Sequence, residues 1–264
     1  MTRISLGFHD VEEASSAAIA GTRTCPSLYT LSRQSFQNHL EAIVNAGASG
    51  RVQTVCGENA QGPSPVYLTF DDGALGAYTC IADELETLGW RGHFFVTSGW
   101  IGRAGFMNTA QIRELYRRGH LIGSHTHTHP ERMSSLTPTE LQQEWEVSCA
   151  ILSDIVGDCI RVASVANGYY SRKVAASAWN AGIKFLFNSE PTSRMRLEGS
   201  CHVLGRYAIK ATTSPVTTGA IAAGRRGPRL AQAVAWEMRK VAKAVGGKSY
   251  LKIRELLYSG NTGR

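Results

Sequence analysis

From about residue 65 the chain alternates short apolar runs with longer helix-like segments. This is the pattern of parallel strands joined by helices. "VYLTF" (66–70) reads as a strand, "CIADELETLGW" (80–90) as a helix, and "HFFVTSG" (93–99) as the next strand. "NTAQIRELYRRG" (108–119) follows as a helix, capped by Asn108 or Thr109 and stopped by Gly119. "HLIGSH" (120–125) is a strand, and "TPTELQQEWEVSCAILSDIVG" (137–157) a long helix with Thr137 and Glu140 at capping-box spacing. The order repeats with "VASVA" (162–166), the helix "SRKVAASAWNAGI" (171–183), and the strands "KFLFNS" (184–189) and "HVLGRYAI" (202–209). We therefore expect one α/β domain over residues 1–219 and a basic helical extension over 220–264, with "GAIAAGRRGPR" (219–229) as the loop between them.

Composition adds bounds to this picture. A chain of 264 residues, 43% hydrophobic with 8 Pro and 27 Gly, is long enough to bury a sizeable core and has no apolar run of membrane-spanning length. The opening "MTRISLGFHDVEEASS" meets a histidine and three acids before any sustained apolar stretch. A secretory signal is not expected there, which makes a cytoplasmic location the expectation. The cysteines (Cys25, Cys56, Cys80, Cys149, Cys159, Cys201) are scattered and form no Cys-x-x-Cys pair, which disfavours a disulfide framework or a thiolate zinc knuckle.

The net charge of +7 lies in the tail, where residues 220–264 hold ten basic and two acidic residues against 18 and 19 before them. In "RLAQAVAWEMRKVAKAV" the apolar Leu230, Val234, Met238, Val241 and Val245 recur at helical spacing beside Arg239, Lys240 and Lys243. We expect a helix docked by this stripe with a solvated basic face. The alternative is a site for anionic lipid or acidic glycan, giving peripheral membrane association through the tail. Nucleic acid is not an expected partner, because the basic residues are not interleaved with stacking aromatics.

In parallel α/β sheets and barrels, reactive groups gather at the C-terminal ends of strands. Here those ends carry "TFDDG" (69–73), "SHTHTHP" (124–130), "SVANGYY" (164–170) and "NSEP" (188–191). Adjacent carboxylates after a buried strand are costly unless a cation or a proton holds them together. One carboxylate and two imidazoles would supply three ligands and leave a coordination position for water, the arrangement of a hydrolytic metal site, with the second carboxylate free to act as base. Of the three alternating histidines, an extended strand would point all to one side, whereas a helical turn would put only His125 and His129 on one face.

"VYLTFDDG" and, some fifty residues on, "GHLIGSHTHTHP" together resemble the polysaccharide deacetylase family, carbohydrate esterase family 4. The likeness runs over roughly residues 5–210 and includes "GFHDV" near the start. It implies a distorted (β/α) barrel of about seven parallel strands, here followed by the short basic helical tail. It also implies one divalent metal, commonly zinc, held by Asp72, His125 and His129, with Asp71 as catalytic base. This favours the helical-turn pairing and leaves His127 outside the ligand set, as a candidate substrate contact.

The family's third motif, Arg-x-Pro-aromatic, has an Arg that orients the base; here "ASVANGYY" puts Ser164 in its place. The exopolysaccharide-associated subgroup is more similar at this point. Asn167, through its backbone N–H, and Tyr169 are the expected substrate contacts. The fourth motif is similar to "FNSEPTS", with Glu190 as a substitute acid. The fifth motif's general-acid histidine is missing, His202 preceding its strand, so His9 and His127 become candidates for that role. Arg206, which we place within the last strand and among the expected substrate contacts, either replaces the lost Arg or pairs with Glu190. The function implied is metal-dependent removal of N-acetyl groups from an envelope or exopolysaccharide sugar, or its precursor. The alternatives are a catalytically impaired glycan-binding or regulatory homologue and a hydrolase of non-sugar C–N bonds.

Overall fold

The structure, a computed structural model, describes residues 2–12, 28–56 and 64–240. In chain order the strands are β1 (Ile4–Phe8), β2 (Asp10–Glu12), β3 (Thr30–Ser32), β4 (Val66–Phe70), β5 (His93–Val96) and β6 (Leu121–Ser124). They continue with β7 (Val162–Ser164), β8 (Phe185–Phe187), β9 (Arg196–Glu198), β10 (Cys201–Leu204) and β11 (Tyr207–Ala208). The helices are α1 (Arg33–Asn45), α2 (Ala82–Thr87), α3 (Thr109–Arg117), α4 (Pro138–Val156), α5 (Arg172–Asn180) and α6 (Pro215–Ala222).

Nine strands form one sheet in the order β11-β1-β4-β5-β6-β7-β8-β10-β9, while β2 and β3 pair separately. Only β9 is antiparallel to its neighbour; the seven strands β1, β4 to β8 and β10 run parallel. The ends of this sheet are consecutive in the chain: β10 pairs with β8 and β11 with β1, and only Gly205 and Arg206 separate them. The segment 201–208 thus carries the chain from the last parallel strand to the first, and the curled sheet is a distorted (β/α) barrel whose seam is bridged by the chain rather than by a ladder. "HVLGRYAI" is therefore two strands rather than the single one expected. At the break the chain passes so close to the Glu190 carbonyl oxygen that a Cβ at position 205 would lie 2.1 Å from it, which only glycine allows. At that seam the Arg206 N–H donates to the same carbonyl at 2.9 Å instead of to a ladder partner.

Alternation along the strands sorts the core into two layers. Tyr67, Phe95, Val162, Phe187 and Leu204 point inward and fill the barrel with Val55. Ile4, Leu6, Leu68, Phe70, Phe94, Ala163, Leu186 and Val203 point outward and pack beneath the helices. Such two-sided burial is why these strands read as continuous apolar runs.

Local chemistry fixes the helix ends. Asn108 and Gln111 form a capping box at α3, as Thr137 and Glu140 do at α4, and Gly157 at φ 76° closes α4 in the left-handed conformation. The helix at 80–90 is reached through a π-turn, Ala77–Ile81, ahead of α2. No two of the described cysteines are bonded to each other.

Two tail expectations change. Residues 219–222, read as loop, belong to α6, which runs across the expected 219/220 boundary. Gly219 here permits close helix packing, because a Cβ on it would come within 2.4 Å of the Ala42 carbonyl oxygen on α1. A second helix begins at 226 and continues to 240, where the described residues end. It docks, but not by its apolar stripe: Leu230, Val234 and Met238 are 62%, 58% and 67% exposed. The barrel is met instead by Arg229, whose guanidinium donates to Ser193 Oγ at 2.9 Å, and by Gln232, whose amide donates to the Ala208 carbonyl at 3.1 Å. Val241 and Val245 lie outside the described residues.

Candidate metal and catalytic centre

The inward parity that fills the barrel continues past the strand ends and there turns polar. His9 after β1, Asp71 after β4, His125 after β6, Ser164 at the end of β7 and Arg206 after β10 are the successive inward positions at one mouth of the barrel. Asp71 extends β4 by one residue, its N–H donating to the Phe8 carbonyl at 3.2 Å. Asp72 then adopts φ 74°, a left-handed conformation that Asp tolerates better than most residues. The chain turns there, and the two neighbouring carboxylates face different partners.

Asp72 faces two imidazoles. Its Oδ1 lies 3.4 Å from His125 Nε2 and 3.6 Å from His129 Nε2. The three ligand atoms sit within 4.8 Å of one another. The segment bringing the histidines together is neither strand nor helical turn. It is a loop in which Thr126 (φ 71°) and His129 (φ 58°) are both left-handed. Thr126 Oγ1 accepts from the His129 N–H at 3.1 Å, and Glu144 on α4 accepts from the N–H groups of His127 and Thr128, each at 2.9 Å, and from the Thr128 hydroxyl at 2.6 Å. The expected helical-turn pairing therefore selects the same two rings by a different backbone. A 310 or α turn would have required right-handed residues where this loop has two left-handed ones.

Asp71 faces a clamp. Arg206 Nη1 donates to Asp71 Oδ1 at 2.6 Å and Ser164 Oγ donates to the same oxygen at 3.0 Å. Arg206 Nε donates to the Asn188 carbonyl at 3.1 Å, and its side chain crosses the seam over Gly7 and lies 5.9 Å from the Phe95 ring centroid. Arg206 and Asp71 are both only 5% exposed. Because the Ser164 hydroxyl proton is committed to a carboxylate, Ser164 Oγ must accept from His125 Nδ1, 2.5 Å away. Nδ1 therefore carries a proton, and Nε2 is the ring nitrogen that faces Asp72.

The ionisation states follow. Burial works to raise the pKa of Asp71, but the Arg206 guanidinium, with His125 and His9, outweighs it and holds the carboxyl well below the usual range. Burial likewise opposes ionisation of Asp72, and the hydrogen bond and charge of His125 reverse it, so its pKa too is lowered. Burial pushes His129 down to about 4. His125 is raised, since Asp71 and Asp72 more than offset its burial. Two ionised carboxylates with imidazole nitrogens beside one of them fit a divalent cation: the donor set is one oxygen and two nitrogens, with His125 Nδ1 already anchored as metal-bound histidines usually are. Among the described residues, Asp72, His125 and His129 are the cluster of this kind.

The other candidates are placed as follows. Arg206 lies at the break between β10 and β11 rather than within one strand, and it pairs with Asp71. Glu190 is taken by Arg196, which donates to both its oxygens at 3.0 and 2.6 Å. His127 turns its Nδ1 to Ser98 Oγ, 2.9 Å away, and its carbonyl accepts from the Gly99 N–H. That contact braces the Ser98–Trp100 turn, from which Trp100 lays its ring 4.8 Å from His129 and 4.9 Å from Phe106. Asn167, left-handed at φ 54°, donates from Nδ2 to the Pro130 carbonyl at 3.4 Å, and Tyr169 lies under the Arg132 guanidinium at 4.8 Å. Both thus adjoin the loop that follows His129. His9 lies 4.5 Å from the Tyr29 ring, with its pKa lowered mainly by burial. His202 stacks on Phe185 at 5.2 Å, two strand positions below the mouth. Trp100 and Glu144 stand in no sequence motif, and only the fold brings them to the site.

A distorted (β/α) barrel bearing one carboxylate and two imidazoles at the strand C-termini, with a second, clamped carboxylate beside them, defines a candidate hydrolytic site. Residues 58–186, just under half of the chain, match the family model described as Polysaccharide deacetylase. The Bacillus subtilis protein YxkH is 26% identical over 155 residues, 59% of this chain and 55% of that one. A chitin deacetylase of Arthroderma benhamiae is 34% identical over 92 residues, 34% of this chain and 24% of that one. The chain thus spans about half the length of the first relative and a quarter of the second. The crystal structure of BC0361, a polysaccharide deacetylase from Bacillus cereus, shares the fold with a TM-score of 0.66 at 18% identity, over 84% of this chain and 69% of that one.

Proposed function

We propose that the protein is a metal-dependent hydrolase that removes N-acetyl groups from sugars of an envelope or exopolysaccharide, or from a precursor of one. The observation carrying this reading is the double-donor clamp on Asp71 beside the Asp72, His125 and His129 cluster. A divalent ion such as zinc, bound by those three residues, would lower the pKa of a water and polarise the acetamide carbonyl. Asp71 accepts the proton of the attacking water. Both clamp donors use Oδ1, so Oδ2 is the oxygen left for that proton. Arg206 keeps the carboxylate ionised at neutral pH and aims it, and Ser164 couples it to His125. Trp100 and Tyr169 bound the mouth on either side of the His129 loop and would contact the sugar, with Asn167 positioning that wall. Breaking the C–N bond releases acetate and leaves the sugar amine, to which the abstracted proton is returned.

A glycan-binding homologue without turnover is argued against by the same clamp, because binding alone has no use for a buried, ionised and oriented carboxylate. The test is acetate release from N-acetylated oligosaccharides by the zinc-loaded protein, compared with Asp71→Asn. The variant should keep stoichiometric zinc and lose at least about a hundredfold in rate, the scale of a general base. Equal rates would overturn the assignment of Asp71.

A further inference from the structure

We propose that the outward face of the C-terminal helix, residues 226–240, is a docking surface for an anionic lipid bilayer and seats the mouth of the barrel at the membrane surface. The inward side of this helix is fixed by Arg229 on Ser193 and Gln232 on Ala208. Leu230, Val234 and Met238, at i, i+4 and i+8, form a continuous stripe on the opposite side and are each more than half exposed. Arg225 and Arg226 stand at the start of the helix and Arg239 and Lys240 at its described end. Its one acid, Glu237, is met by Lys240 at 3.7 Å. Arg239 faces Lys210 on the barrel side, whereas Arg226 and Lys240 border the apolar stripe at its two ends, the pattern of a helix lying in the plane of a headgroup interface.

Charge decides among occupants. A second copy docked by the same face would bring the same cations together, and residues 1–219, with 18 basic and 19 acidic residues, offer no compensating acidic excess. An acidic glycan would match the cations but give the apolar stripe nothing to enter. Anionic lipid matches both. No helix among the described residues is long and apolar enough to cross a membrane, so the contact would be peripheral.

The direction of the helix gives the contact its meaning. It starts near Ser193, whose carbonyl accepts from the Arg3 N–H just ahead of β1, at the N-terminal ends of the strands. Its last described residues lie near Lys210, whose pKa is lowered by burial and by the charge of Arg239. Lys210 lies 5.7 Å from the Tyr29 ring, which in turn packs against His9 at the barrel mouth. Val216, 80% exposed, opens α6 at this same end. The helix thus runs up the barrel wall, and residue 240, the last described, lies toward the rim of the candidate site.

The test is sedimentation of the full chain with phosphatidylcholine vesicles containing phosphatidylglycerol, with phosphatidylcholine alone as control. It needs no catalytic turnover and so stands or falls apart from the deacetylase reading. Binding to the anionic vesicles should exceed that to neutral ones by at least about tenfold, given roughly 1 kcal/mol per basic residue near such a surface. The variant Leu230→Glu/Val234→Glu/Met238→Glu should lose that binding while keeping its thermal midpoint, the three side chains being exposed. No sedimentation of the full chain, or undiminished sedimentation of the variant, would overturn the proposal. So would a dimer that the variant converts to monomer, which would assign the face to a second copy.

Discussion

Replacing Arg206 by Met keeps most of the side-chain volume across the seam and removes only the charge and its donors. Arg206 and Asp71 are each 5% exposed, so solvent cannot take over either charge. Removing one partner of such a buried pair costs about 3–5 kcal/mol, because the other charge is left uncompensated. The cost should depend on pH in a direction set by Asp71. In the native protein its pKa is depressed, so its contribution to stability is present above the ordinary carboxylate range and is lost as pH falls through the folded value. Without Arg206, burial dominates and the pKa rises, so the remaining carboxylate destabilises the fold increasingly as pH climbs above its ordinary value. Urea unfolding should therefore show the gap between native protein and variant widest at neutral pH and narrowing below about pH 4. The acid limb of the rate profile should move to higher pH, each unit of pKa shift being worth about 1.4 kcal/mol, or tenfold in ionised base at a given acidic pH. Arg206→Lys should restore the charge but not the full effect, since one ammonium cannot reproduce the fork that reaches both Asn188 and Asp71. A variant with unchanged stability at neutral pH and an unmoved acid limb would refute the clamp.

Two further outcomes follow from the geometry. Glu144→Ala removes the carboxylate that holds the His127–Thr128 backbone, so zinc affinity measured by competition with a chelator should fall about 10- to 100-fold while Asp72, His125 and His129 remain; unchanged affinity would make the clip irrelevant to the ligands. Gly219→Ala places a Cβ against the Ala42 carbonyl and should cost about 1–3 kcal/mol by forcing α6 away from α1, read as a lower urea midpoint with zinc content unchanged.

What could be read in the chain followed the range of each interaction. Asp71, Asp72, His125 and His129 sit in contiguous stretches at the ends of apolar runs, so local pattern and family resemblance together reach them. The capping boxes at Asn108 and Thr137 are likewise complete within four residues. Arg206 is 135 positions from Asp71, and their meeting depends on how the sheet closes. Alternation through "HVLGRYAI" does place His202, Leu204 and Arg206 on one side, a signal for an inward arginine, but not the break at Gly205 that lets it cross the seam. Glycine misled in the other direction at 219, where it reads as a loop former and is in fact the contact between two helices. The tail helix was legible as an element and wrong in its rotation, because polar anchors at Arg229 and Gln232, invisible to hydrophobic periodicity, decide which side faces the barrel. The His-rich loop shows the same limit: spacing selects the rings, but the left-handed Thr126 and His129 are held by Thr126 Oγ1 and Glu144, a contact that joins the loop to a different helix.

The placement of the arginine on the seam separates two tasks that would otherwise fall to one strand. With Ser164 contributing only a hydroxyl, the loop after β7 is relieved of the guanidinium that would aim the base. Asn167, Tyr169 and their neighbours can then diversify to suit new sugars while proton transfer stays under the control of residues on the far side of the barrel. Such a molecule can change what it recognises without relearning how to react.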